Sequence, residues 1–381
     1  MAIIEIVNSY LSKPGNIGIR TGHIINNDNK GLISACICRG TYTKFPNVKI
    51  FSMGFFGLIP RLLNYMRNYF PNFDHRPLDI MIFNIHFFIG YMIFRIGKNA
   101  KVAHLWEMSP FIIRLLQKNG VFVILDVPIA PALYAQKRYE ENSRFVIFKK
   151  HIENENKCFE LANLIIAPSN FVRDALIDLG CDPKKIRVIE FGTNESTSKK
   201  NISQKSKDST DRGYSYVFAG ALNPRKGIDI LIEAWDSWPY NNDELHLCGR
   251  QTPYIKKVLE NKAGLNIFTP GFVSTHEYFS KMDIFVFPSF LEGSAKAVFE
   301  ALCEGLPCVV TEESGSVVRN GKEGYIVNAG DIDGLRKAML KIRDIKKIKD
   351  FSANAFNRAA EYPWSRYTRK VLNLYQQVSI Q

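Results

Sequence analysis

The chain has 381 residues, with 50 Lys+Arg against 37 Asp+Glu, for a formal net charge of +13. Hydrophobic residues make up 46% and aromatics 12%, which excludes an intrinsically disordered chain, since such chains are poor in both. The length excludes a small disulfide-stapled module and suggests two or three domains.

From the N-terminus, short runs rich in Ile, Val and Phe alternate with helix-like segments. The expected strands of the first half are 3–7, 48–53, 78–85, 101–106, 121–127, 163–169 and 186–191. No basic segment precedes the first apolar run, so no secretory leader is expected. The longest apolar stretch, 80–94, contains Asn84 and His86 and is shorter than the ~20 residues a bilayer span needs. Residues 51–70 mix large apolar residues with Arg61 and Arg67, a composition shared by an interfacial helix and an ordinary amphipathic core helix. Residues 1–192 hold 24 Lys+Arg against 15 Asp+Glu, a balance of +9, so an anionic membrane surface is one expected partner of this half. The seven cysteines are scattered and lack metal-ligand spacing, as expected of reduced core thiols in a cytoplasmic protein.

Residues 193–213 are polar and read as a linker between an N-terminal domain, 1–192, and a C-terminal domain, 214–363. The strands expected beyond it are 216–220, 245–249, 265–271, 283–289, 306–311 and 323–327, and 363–378 reads as a last helix, with 364–381 able to pack back on the first domain. Near-continuous apolar runs suit parallel strands covered by helices on both faces. The fold class is therefore α/β.

Ligands of open α/β sheets bind beyond the carboxyl ends of the strands. After the strand ending at Gly220, a short loop brings Arg225 and Lys226 to a helix start, where cations and unpaired N–H groups together suit a diphosphate. The alternative is a pair of solvated loop charges. After the strand ending near Ser289, a loop presents Glu292, Gly293 and Ser294, and Glu300 is expected about two turns inside the next helix. Carboxylates in such places accept hydrogen bonds from polyol hydroxyls; a dipole-stabilised first-turn Glu292 and a solvated Glu300 are the alternatives. Arg250 and Val273 follow two further strands, where Gly271, Phe272 and Val273 could line a flat slot for a base. Asp331 in "DID" reads as a helix N-cap rather than a metal ligand.

These residues resemble one family. "EGSAKAVFE" from Glu292 to Glu300, followed by "ALCEGLPCV", is similar to the E-x7-E region of family-4 (group 1) retaining glycosyltransferases, and "GALNPRKG" resembles their phosphate loop. The match is dense over 162–340 and weak before about residue 100. The resemblance implies a GT-B fold, two Rossmann-like domains facing each other across a cleft. It implies a metal-independent transferase that moves a sugar from a nucleotide-diphosphate sugar to a glycan or lipid-linked acceptor, in cell-surface polysaccharide or glycolipid synthesis. No cofactor or metal and no nucleic-acid partner is expected, and the location would be cytoplasmic, on the inner face of the membrane if attached. Arg225 and Lys226 would neutralise the leaving diphosphate, Glu292 would bind donor-sugar hydroxyls and Glu300 the ribose. Gly220, Arg250, Val273, Gly293 and Ser294 would complete the donor site. Gly15 or Gly18 would be the diphosphate neighbour from the first domain. Asp126, at a strand end where the family often has a His, would act from the acceptor side. The chain departs from the family pattern at Ala221, where many members carry Arg. An epimerase or hydrolase of the same fold, or a non-catalytic relative, remains the alternative. His86 and His104 read as core or edge histidines.

Overall fold

A computed structural model describes residues 2–12, 17–54, 76–139, 149–194, 213–262 and 264–378. Gly15, most of the 51–70 segment and most of the 193–213 linker lie outside the described residues. The chain forms two compact units. The first comprises Met1–Pro168, Val172–Ile189 and Ser365–Gln381, the second Ser169–Phe171 and Glu190–Trp364. The division falls at Ile189/Glu190, and Ser169 belongs with the second unit because its Oγ donates to the Gly293 carbonyl at 2.6 Å.

The first unit is built on a seven-stranded sheet: β1 (Ile3–Leu11), β2 (Ile33–Thr41), β3 (Lys49–Ser52), β4 (Val102–Leu105), β5 (Phe122–Asp126), β6 (Leu164–Ala167) and β7 (Ile186–Val188). Its order is β3-β2-β1-β4-β5-β6-β7, and every pairing is parallel. The second unit has six strands, β8 (Ser215–Ala219), β9 (Glu244–Cys248), β10 (Ile267–Gly271), β11 (Ile284–Phe287), β12 (Cys308–Thr311) and β13 (Gly324–Val327), in the order β10-β9-β8-β11-β12-β13, again all parallel. All four residues of β4, β6, β11 and β12 are buried, which is why these strands read as unbroken apolar runs. In each sheet the strand order reverses at one place, between β1 and β4 and between β8 and β11. Such a reversal opens a crevice beyond the strand ends.

The described helices are α1 (Ile17–Asn26), α2 (Arg76–Phe88), α3 (Pro110–Lys118), α4 (Ala132–Tyr139), α5 (Lys149–Leu161), α6 (Asn170–Asp178), α7 (Ile228–Asp236), α8 (Pro253–Glu260), α9 (Thr275–Phe279), α10 (Lys296–Cys303), α11 (Ile332–Lys341), α12 (Ile345–Ala360) and α13 (Trp364–Val378). Two expectations are corrected. Residues 78–85 are not a strand but part of α2, which buries Phe83, His86 and Phe87 while exposing Leu78, Met81, Ile85 and Phe88. Apolar residues on its exposed face hid the helical period. Strand β2 went unpredicted because Ser, Cys and Gly dilute its apolar pattern. Asp331 caps α11, accepting from Gly334 N at 2.8 Å. All seven cysteines are free, and all but the half-buried Cys181 are buried. Among the described residues no helix is long and apolar enough to cross a membrane.

Helix α13 packs on the first unit through Tyr367, Val371, Leu374 and Tyr375. Its anchor is a buried polar cluster. His104 Nδ1 lies 2.6 Å from the Tyr375 hydroxyl and 3.4 Å from Glu5 Oε2, and its Nε2 lies 3.6 Å from Asp126 Oδ2. Tyr375 donates to Glu5 Oε1, and Trp106 Nε1 donates to Glu5 Oε2 at 2.9 Å. Arg20 reaches Asp126 at 3.4 Å. Two carboxylates thus face two cations in the protein interior. A buried quartet of this kind holds together only while each charge keeps its counter-charge. Burial alone would lower the His104 pKa, but Glu5 and Asp126 outweigh it and hold the imidazolium up to about 9, above its ordinary 6.5.

A folded-state pKa above the unfolded one stabilises the protein fully below about pH 6.5, and that stabilisation is lost as pH rises through about 9. The shift corresponds to about 3 kcal/mol. Denaturant unfolding of wild type and His104→Gln should therefore give a stability difference that is largest near pH 6 and shrinks by pH 9.5. A difference constant across that range would show that His104 is neutral in the folded protein.

Candidate active site

The two strands at the reversal of the second sheet deliver the charged groups. After β8 the backbone passes through Gly220 and reaches a single 3-10 turn, Pro224–Lys226, capped by Asn223, whose Oδ1 accepts from Lys226 N at 3.1 Å. Gly227 then takes a left-handed φ of 70°, and a Cβ there would come within 2.0 Å of the Pro288 carbonyl. Only glycine lets this turn press against the end of β11. Gly249, after β9, is similarly required: a Cβ would lie 1.8 Å from the Gly220 carbonyl.

The loop after β11 closes the other side. Phe290 N donates to the Arg225 carbonyl at 2.9 Å, and Glu292 N to the Glu313 carbonyl at 2.9 Å. Between the two loops, Glu292 Oε1 accepts from Arg225 Nη1 at 2.7 Å and from Lys226 Nζ, with Ser289 Oγ at 3.4 Å. Arg225 also donates to the Leu291 carbonyl. The Lys226 and Glu292 side chains are 12% and 13% exposed and that of Arg225 is 30% exposed, so the triad is sheltered yet open at one edge. The Lys226 ammonium sits 4.9 Å above the Phe287 ring centroid. Burial pushes its pKa down; Glu292 pulls it back up and Arg225 pushes it down again. Two cations share one carboxylate, leaving excess positive charge in a low-dielectric crevice. Excess positive charge in such a crevice attracts anions.

Gly220 and the half-buried Val273 follow β8 and β10, and Phe272 beside Val273 is 97% exposed. Gly293 is buried and accepts from Ser169, and the Ser294 side chain is 6% exposed with an Oγ that has no partner among the described residues. Arg250 extends an exposed side chain. Glu300 is half-buried on α10. Because this helix starts only at Lys296, Glu300 lies about one turn inside it rather than two. It pairs with Lys296, a partner the sequence reading passed over although the i,i+4 spacing predicts it. Asn223 and Ser289, which fix the two loops, were also passed over.

The first-unit candidates are placed differently. Gly18 is buried in the first turn of α1, where its carbonyl accepts from Ser12 N at 2.9 Å. Asp126 is 1% exposed and committed to Arg20 and His104, which leaves it no face for a substrate. Its role is corrected to that of a buried counter-charge. Among the described residues no group of three or more His, Cys, Asp or Glu gathers in a way that could hold a metal.

Residues 213–344 match the family described as Glycosyl transferases group 1. A UDP-Gal:alpha-D-GlcNAc-diphosphoundecaprenol alpha-1,3-galactosyltransferase of Escherichia coli is 36% identical over 78 residues, 20% of each chain. The amylovoran biosynthesis glycosyltransferase AmsK of Erwinia amylovora is 25% identical over 220 residues, 52% of each chain. These matches span between a fifth and about half of the relatives' length. Among solved structures, sucrose-phosphate synthase of Thermosynechococcus elongatus superposes with a TM-score of 0.70 at 15% identity over 100% of both chains. HepE of Anabaena in complex with UDP gives 0.69 at 16% identity, covering 99% of this chain and 100% of that one. The fold is GT-B, with two parallel-sheet α/β units. The segment similar to the group 1 glycosyltransferase family lies within the second unit.

The triad makes an asymmetric prediction for stability. Lys226→Met removes a sheltered cation, keeps the contact with Phe287 and leaves Glu292 paired with Arg225, so unfolding free energy should stay within about 1 kcal/mol of wild type. Glu292→Ala leaves two neighbouring cations without their carboxylate and should cost about 1–3 kcal/mol. Equal losses in chemical denaturation would contradict the shared-carboxylate geometry.

Proposed function

We propose that the protein is a retaining glycosyltransferase that uses a nucleotide-diphosphate sugar and acts in cell-surface polysaccharide or glycolipid synthesis. The observation that carries this reading is the Arg225–Glu292–Lys226 triad at the strand-order reversal of a group 1 glycosyltransferase segment. The names of relatives support the setting: a galactosyltransferase acting on a diphosphoundecaprenol-linked sugar and an amylovoran biosynthesis enzyme. HepE is known with UDP and glucose.

In this reading Arg225 and Lys226 hold the diphosphate, and Glu292 accepts hydrogen bonds from donor-sugar hydroxyls. Glu300 receives the ribose hydroxyls once Lys296 gives way. The bond between the sugar anomeric carbon and the β-phosphate oxygen breaks, and an acceptor hydroxyl oxygen bonds that carbon on the same face. The hydroxyl proton passes to the departing phosphate oxygen, and nucleoside diphosphate leaves. The negative charge that grows on the leaving group meets cations already in place, so little reorganisation accompanies the step. No divalent metal is assigned a part, and the acceptor is a glycan or a lipid-linked sugar.

Thermal unfolding with UDP, GDP, dTDP, ADP and CMP, each without added metal, tests the donor site. One diphosphate at ~100 times its dissociation constant should stabilise the protein by ~2.7 kcal/mol. The shift should vanish in Lys226→Met. Failure of every diphosphate to shift wild type would overturn the assignment.

A further inference from the structure

Beyond the strand-order reversal of the first sheet lies a cavity lined in part by Asn8, Glu107, His151 and Glu155. A second cavity, of about 240 Å³, lies at the other end of that sheet. Its volume is several times the ~30 Å³ share of a water molecule. One wall is the turn that joins α1 to β2, residues 27–32, so this cavity sits where β2 begins rather than where the strands end. The other wall is one face of α13. Ser365, Thr368, Arg369, Leu372, Asn373 and Gln376 recur along it at the three- and four-residue spacing of a helix.

The turn is set before any ligand arrives. Asn27 Nδ2 donates to the His23 carbonyl at 2.9 Å, and Asp28 Oδ2 accepts from Ile33 N at 2.7 Å. The second bond fixes the carboxylate and leaves its other oxygen, Oδ1, buried with no hydrogen-bond partner among the described residues. Such an oxygen is costly to leave without a donor, and a ligand hydroxyl supplies one. Lys30 and Arg369 make no ion pair or hydrogen bond among the described residues, and the side-chain amides of Asn29, Asn373 and Gln376 are likewise without partners there. Two cations against one carboxylate give the lining a positive balance, which attracts an anion. A guanidinium offers a phosphate two parallel donors. Asp28 repels that anion and favours a hydroxyl beside itself. Each amide carries a donor and an acceptor, as neighbouring hydroxyls require. The ligand that satisfies all of these groups holds a phosphate and several hydroxyls on one small frame. The volume is below the ~300–1,000 Å³ of pockets for drug-sized ligands, so it takes a single ring rather than a chain.

We propose that this cavity binds a monosaccharide phosphate. Lys30 and Arg369 hold the phosphate, Asp28 Oδ1 accepts from a ring hydroxyl, and the three amides meet the remaining hydroxyls. The site lies within the first unit and does not rest on the donor-site reading of the second.

Isothermal titration of the full chain tests it, with glucose 6-phosphate, glucose 1-phosphate and mannose 6-phosphate as probes and methyl glucoside as the uncharged control. At least one sugar phosphate should bind saturably, and equally well in Lys226→Met, in which the second unit has lost a cation. Methyl glucoside should bind far more weakly. Arg369→Gln and Lys30→Gln, both at exposed positions, should each weaken the sugar phosphate at least about fivefold. Asp28→Asn separates the proposal from simple charge attraction. It removes a negative charge, so attraction alone would tighten binding. The proposal expects binding at least about fivefold weaker, because an amide that still accepts from Ile33 N turns its NH₂ toward the ligand and the charged acceptor is lost. Unchanged thermal unfolding of the ligand-free variants certifies their folds. No saturable binding of any sugar phosphate, binding lost in Lys226→Met, binding unchanged in Arg369→Gln and Lys30→Gln, or tighter binding in Asp28→Asn would overturn the proposal.

Discussion

Everything proposed for the second unit depends on one carboxylate shared by two cations. Arg225 and Lys226 are adjacent in sequence, and without Glu292 their repulsion would drive them apart into solvent. With Glu292 across the crevice they are held side by side and partly desolvated, where their field on an incoming anion is strong. The arrangement needs two loops to meet. Gly227 provides the close approach on one side, and on the other the backbone bonds from Phe290 and Glu292 fix the position of the carboxylate.

The two sheets repeat this logic with opposite chemistry. Each reverses its strand order once, and each gathers polar side chains beyond the strands that flank the reversal. In the second unit these are cations with one counter-charge. In the first they are carboxyls, an amide and an imidazole around a cavity. In the same unit the Glu5–His104–Asp126–Arg20 cluster holds α13 against the sheet. The C-terminal helix is thus an integral part of the first unit, although residues 190–364 belong to the second.

Much of the second unit was legible in the sequence, because fully buried parallel strands carry an unmistakable apolar pattern and the site residues follow them directly. Arg225, Lys226 and Glu292 stand out by type and position, but the pairing of Glu292 with both cations does not. What could not be read depends on contacts across the chain. Asp126 stands at a strand end like a catalytic residue, but Arg20 and His104, distant in sequence, enclose it. The 78–85 segment looks like a strand because its exposed face is as apolar as its buried one. The depth of Glu300 was overestimated because Ala295 N bonds the Ser314 carbonyl, which delays the start of the helix. His151 and Glu155 carry a plain i,i+4 signal, but nothing in the sequence says that a cavity lies beside them.

The central claim is that the second unit presents a preformed diphosphate site. Isothermal titration of inorganic pyrophosphate into the full chain tests it without assuming a base or a sugar. The account predicts one saturable site per chain in wild type, absent from Lys226→Met under the same ionic strength. No saturable binding in wild type, or binding of equal affinity in Lys226→Met, would contradict it.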